Sequence, residues 1–291
     1  MSKILIIIAA FLVVIITVWS AHSKQNNTSK NLNKTLNTKV NISAAEIPYC
    51  QTPVVRALDK SKMLFCGEIN SSSLSEARRI LLEGSDLREV LVTSEGGDGS
   101  AAMQLVQLFN EHDIYINFQH YCLSACAHFI FVGAENYEIS TGTFVGFHQT
   151  ASSQLRVLTA LGGNSESAAA RPVRDRADQE QLFYELNNID NQLLFDPIYQ
   201  LSIECAQMPV IRDGALMAIP LKAKGVLWTP DKHSMERYLG RSLVGFWPNT
   251  RFEFLRNIPE HFRVSDSVTP YLFGPQRVDS AGVAEKVEFC G

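Results

Sequence analysis

Residues 121 to 131 read YCLSACAHFIF, and Ser124 lies between Cys122 and Cys126, just ahead of small and apolar residues. A serine hydroxyl is a poor nucleophile until a base takes its proton. His148, in GFHQT, ends an apolar run and precedes a loop, where a general base tends to sit. A third stretch, TSEGGDG (93–99), pairs two glycines. Such pairs let the backbone approach a ligand closely and aim N–H groups at an anion. Nucleophile, base and a donor-rich turn are the parts that acyl transfer needs.

Each part also has a plainer reading. Ser124 could cap a helix, with Ala125 and Ala127 suited to close packing. The glycines could serve only a turn, and a lone histidine after a strand is often structural. Cys122 or Cys126 is a rival nucleophile, since a thiolate at a helix start has a depressed pKa. An oxidising compartment would consume such a thiol, and a Cys122–Cys126 bridge is a further alternative. No second ligand pair accompanies these cysteines at a metal-site distance, so no metal is expected. His120 and His128 flank the serine. His128, four residues on, would share its helix face, with burial in the core as its expected role.

These residues need elements to position them. KMLFCGEI (62–69) reads as a strand, and SSLSEARRILLEG (72–84) as a helix with a serine-rich start and a stopping glycine. REVLVTS (88–94) reads as a buried strand, SAAMQLVQLFNEH (100–112) as a helix and DIYINF (113–118) as another strand. A helix follows the serine to Gly133, then short strands near 136–140 and 143–148. Strands alternating with helices predict an α/β fold with crossover units. Residues 151 to 172 are polar and small, and predict a mobile loop. Residues 174 to 202 predict a long amphipathic helix, broken near Pro197. The tail from 241 carries Trp247, Phe252, Phe254 and Phe262 and is expected to pack on the domain.

The chain has 291 residues and a net charge of -4, with no basic stripe to suit nucleic acid. Lys3 precedes an apolar run from Ile4 to Trp19, followed by small residues at Ala21 and Ser23. This predicts a signal peptide or an uncleaved anchor over 1–23, with residues 4–21 in the membrane. Residues 24–45, rich in Asn, Thr, Ser and Lys, predict a disordered polar linker. The rest is expected in the periplasm or otherwise outside the cytoplasm, touching membrane only through that N-terminal segment. Cys50, Cys66, Cys122, Cys126, Cys205 and Cys290 make an even count, which in an exported chain predicts disulfides. A bridge among Cys50, Cys66 and Cys290 is the preferred one.

The order of glycine turn, helix, strand, serine, strand and histidine resembles the ClpP/crotonase superfamily, in particular exported ClpP-like proteins. SEGG (94–97), CLSAC (122–126) and FHQT (147–150) carry the resemblance, which covers residues 62–150 well and 170–240 loosely. It implies a spiral of ββα units over 46–240, with 241–291 as a C-terminal extension. It implies Ser124 as nucleophile, His148 as general base, and the Gly97 and Ala125 N–H groups as oxyanion hole. It further implies a peptide or protein substrate, no cofactor, and assembly into homo-oligomeric rings. Two departures stand out: Glu95 replaces the family's proline, and no aspartate falls at the aligned third triad position near Gly225. Asp213 and Asp231 are the nearest substitutes. A non-catalytic binding or assembly role on the same scaffold is the alternative. An acyl-CoA enzyme fits the fold but not the compartment, because coenzyme A is cytoplasmic.

Overall fold

Strand β1 (Val54–Ala57) runs antiparallel to β2 (Lys62–Cys66), and from β2 onward the sheet is parallel. The computed structural model describes residues 50, 53–84, 86–160, 164–196, 199–212, 215–225, 227–260, 262 and 271–275. All of them fall in one unit, Ala44–Gly291. The expected signal or anchor, the polar linker, Asp213 and Cys290 lie outside the described residues. Among the described residues no helix is long and apolar enough to cross a membrane.

Helix α1 (Ser71–Glu83) follows β2. Its start is a reciprocal cap: the Asn70 side chain accepts from the Ser73 N–H, and the Ser73 hydroxyl accepts from the Asn70 N–H, both at 2.9 Å. Leu74, Ala77, Ile80 and Leu81 form its buried face. Strand β3 (Glu89–Ser94) is buried from Val90 to Ser94. A parallel strand covered on both faces reads as a continuous apolar run, as Val90–Val92 does. Helix α2 (Gly99–Glu111) starts at Asp98, whose carboxylate accepts from the Ala101 N–H at 2.8 Å.

Strand β4 (Tyr115–Leu123) is longer than the sequence predicts and, besides β3, pairs with two further strands. Its first part pairs with β5 (Tyr137–Ile139), and its last three residues pair with β6 (Phe144–Gly146). Between these parts the register against β3 slips, because Val92 faces Phe118 while Ser94 faces Cys122. His120 has a φ of 54° in that bulge. Bulges of this kind re-aim the residues that follow them.

A π-helix, Cys126–Phe131, follows β4 and is buried throughout. Phe131 meets Phe118 and Tyr137 edge-on and stacks with Trp247 at 5.6 Å. Burying a side chain of that size stabilises by roughly 1.5–3 kcal/mol. Strand β9 (Leu227–Thr229) touches the end of β6 through a reciprocal antiparallel bridge between Phe147 and Trp228, both bonds at 2.7 Å. Strand β10 (Tyr271–Phe273) pairs parallel with β9.

Two elements differ from the sequence reading. Residues 151–160 form helix α3 (Ala151–Ala160), not a loop. The carboxylate of Glu180 stands at its start and accepts from the N–H groups of Ala151 and Ser152. A local reciprocal cap joins it: the Ser153 hydroxyl accepts from the Thr150 N–H at 2.8 Å, and the Thr150 hydroxyl accepts from the Ser153 N–H at 3.1 Å. The long helix expected over 174–202 is instead α4 (Arg171–Leu186) and the short α5 (Gln192–Phe195). Asn188, with a φ of 54°, ends the first one. Residues 199–202 belong to strand β7 (Tyr199–Arg212), which pairs antiparallel with β8 (Ala215–Gly225). Helices α6 (Lys232–Leu239) and α7 (Arg251–Asn257) complete the described elements, a mixed α/β fold around a mainly parallel sheet.

Candidate functional site

The turn after β3 lies against the start of the π-helix. Gly96 has a φ of 101°, and a Cβ added there would stand 2.5 Å from the Ser124 Cβ, 2.7 Å from the Leu123 carbonyl and 2.9 Å from the Ala125 nitrogen. A side chain therefore has no room, and the backbone needs a conformation that glycine adopts freely. Gly97 has a φ of 137°, and its Cβ would stand 2.2 Å from the Ile69 carbonyl. Ile69 donates to the Gly96 carbonyl at 2.8 Å and accepts from the Asp98 N–H at 2.7 Å. That alternation turns the N–H of Gly97 away from Ile69, and Gly97 itself is exposed. The turn is braced from within by Ser94, fully buried, whose hydroxyl accepts from the Gly96 N–H at 3.0 Å.

Ser124 has a φ of 57°. A left-handed conformation costs a residue with a side chain roughly 1–2 kcal/mol. It is held from both ends, because its N–H donates to the Gly146 carbonyl at 3.0 Å and its carbonyl accepts from the His128 N–H at 2.8 Å. The result is a sharp strand-to-helix elbow with the serine at its tip, a geometry that presents a hydroxyl. The side chain is half-buried, and Oγ has no hydrogen-bond partner among the described residues. The N–H groups of Gly97 and Ala125 likewise have no acceptor among them.

Cys122 and Cys126 are joined by a disulfide, so the bridge closes around Ser124. Neither sulfur is then a thiolate, which removes the cysteine nucleophile. Cys50 and Cys66 form a second bridge, within the set preferred from sequence.

His148 follows the Phe147–Trp228 bridge, two residues beyond Gly146, which faces Leu123 across β4 and β6. The His148 ring is not hydrogen-bonded to Ser124 Oγ. Its pKa is lowered from 6.5 by burial, against a hydrogen bond with the Gln149 backbone that favours the charged form. No carboxylate among the described residues acts on it.

Asp231, one substitute for the third triad member, is the N-cap of α6. Its carboxylate accepts from the Ser234 N–H at 2.8 Å and the Ser234 hydroxyl at 3.1 Å. Glu95 is exposed at the end of β3 and close enough to Tyr121 to act on it. Burial first, and the Glu95 charge second, push the Tyr121 phenol up to about 12.

Sequence reasoning gave His128 only a core role. The ring is buried, 2% exposed, and packs edge-on against Phe147 at 5.0 Å. It is also fully hydrogen-bonded, with Nε2 2.7 Å from the His148 carbonyl and Nδ1 3.1 Å from the Tyr184 hydroxyl. The i, i+4 spacing from Ser124 was the available signal, but nothing local pointed to His148 or Tyr184.

No protein-family model matches the chain, and no curated protein matches it. Among solved structures it is similar to a point mutant of ClpP1 from Listeria monocytogenes, at 19% identity and a TM-score of 0.34, over 46% of this chain and 77% of that one.

Proposed function

We propose that this chain is a serine hydrolase of ClpP-like architecture, a peptidase acting outside the cytoplasm. The observation that carries the reading is the strained elbow at Ser124. A left-handed serine, its hydroxyl unbonded, sits beside two acceptor-free amides and a glycine turn that admits no side chain. Strain of that kind persists only where surrounding structure enforces it, and it concentrates at working sites.

In the reaction, Ser124 Oγ attacks a carbonyl carbon while His148 accepts the hydroxyl proton. The carbonyl π electrons move onto oxygen, and the N–H groups of Gly97 and Ala125 bind that oxyanion. The protonated His148 gives its proton to the leaving amine as the C–N bond breaks. Water then repeats the sequence on the acyl-enzyme and releases the acid. Losing one oxyanion donor in such a site costs about 100- to 1,000-fold in rate. The His148 ring comes within reach of Oγ when substrate seats, as catalytic hydrogen bonds often tighten only in the complex. The Gln149 backbone serves as orienter in place of a carboxylate. The two disulfides support an exported location, because such bonds persist in oxidising compartments.

A fluorophosphonate probe tests the reading on the purified protein. Covalent labelling of Ser124, absent in Ser124→Ala, is expected; no labelling, or equal labelling of that variant, removes it. The second reading is a binding or assembly protein on the same scaffold. The unbonded Ser124–His148 pair and the lack of a carboxylate acting on the ring favour it. It requires that Ser124→Ala behave as the parent in every assay.

A further inference from the structure

We propose that His128 is the positioning residue that fixes Ser124 and His148 relative to one another. The inference rests on the hydrolase reading above. One residue holds both partners: its main-chain N–H donates to the Ser124 carbonyl at 2.8 Å, and its ring Nε2 lies 2.7 Å from the His148 carbonyl. A carbonyl only accepts, so Nε2 carries the proton. Nδ1 is then the lone-pair nitrogen and accepts from the Tyr184 hydroxyl at 3.1 Å. Both ring nitrogens are used, and the neutral tautomer is the one the surroundings select. Burial first, and the nearby His148 second, hold its pKa down to about 3, so the ring keeps that tautomer at neutral pH.

The relay runs from Tyr184 on α4, through the π-helix, to the loop that carries His148. The main chain of His148 is thereby fixed on two sides, by the neighbouring Phe147–Trp228 bridge and by the His128 ring. π-helical turns are uncommon and frequently occur at functional sites. A core-filling aromatic could occupy the same space, but it would leave the His148 carbonyl without its donor. Displacing a base by about 1 Å costs on the order of 100-fold in rate.

The test is the rate of fluorophosphonate labelling of the full chain, resolved into the limiting inactivation rate and the half-saturating probe concentration. His128→Phe fills the site without a donor, and His128→Gln restores an N–H near the reach of Nε2. The limiting rate is expected to fall roughly 10- to 100-fold in His128→Phe, with half-saturation unchanged and most of the rate recovered in His128→Gln. Equal limiting rates in a folded His128→Phe would overturn the proposal while leaving the hydrolase reading intact. A parent protein that does not label Ser124 would remove both. If His128→Phe does not fold, Tyr184→Phe decides. Loss of its hydroxyl is expected to lower the limiting rate several-fold, and an unchanged rate overturns the proposal.

Discussion

Gly96 and Ser124 touch so closely that a Cβ on the first would come within 2.5 Å of the Cβ of the second. The glycine turn and the serine elbow are therefore one packed unit. Gly96→Ala must push the elbow aside and also hold a φ of 101°. Overpacking of this kind costs about 1–3 kcal/mol. We expect a lower midpoint in urea unfolding and a large loss of fluorophosphonate labelling. Unchanged labelling would separate the turn from the site.

The two disulfides should differ in what they support. Closing a longer loop removes more entropy from the unfolded chain. With 16 residues separating Cys50 from Cys66 and 4 separating Cys122 from Cys126, the loss is about 3 kcal/mol for the first and about 2 kcal/mol for the second. The order reverses for chemistry. Cys122→Ala with Cys126→Ala frees the elbow around Ser124 and is expected to slow labelling more than Cys50→Ala with Cys66→Ala does. Denaturant unfolding and labelling rates on the two double variants read both orders.

Acid should act on this protein through its buried histidines. His128 has its pKa lowered from 6.5 to about 3 in the folded chain. Between these values the unfolded chain binds a proton that the folded chain does not. Stability is therefore fully present above 6.5 and falls as pH drops, by about 1.4 kcal/mol per pH unit from this residue. Unfolding midpoints measured from pH 7 to pH 4 should show that slope, reduced in His128→Gln. The His148 pKa is also lowered from 6.5, so its basic form dominates at neutral pH. Labelling should be level at pH 7 and decline only below 6.5; a midpoint above 6.5 would contradict the lowered pKa.

Asp231 offers a clean separation of two roles. As the N-cap of α6, its replacement by alanine costs about 1 kcal/mol of stability. The expected result is that loss, read by thermal unfolding, with labelling of Ser124 largely kept. A drop in labelling of a hundredfold or more would instead place its carboxylate behind His148.

The alternation from β2 to β6 was legible because it is local. Continuous apolar runs such as VLV (90–92) report burial on both faces, and paired glycines report a turn without room for side chains. The ends of helices were less legible. The Asn187–Asn188 pair at the close of α4 was a stop signal that the apolar spacing beyond it obscured. Helix α3 carried a local signal, the Thr150 and Ser153 pair that caps its start, and Glu180 from far along the chain adds to it. Composition alone reads its serines as loop.

The order of residues alone determined that a serine, a histidine and a glycine turn lie at the ends of parallel strands. Only the folded chain decided their terms of contact. Tertiary packing chose the cysteine pairs and put Ser124 into a left-handed elbow. It also made His128 the link between the two proposed catalytic residues. Each of these depends on groups distant in sequence meeting at van der Waals or hydrogen-bond range, and no local propensity encodes such a meeting.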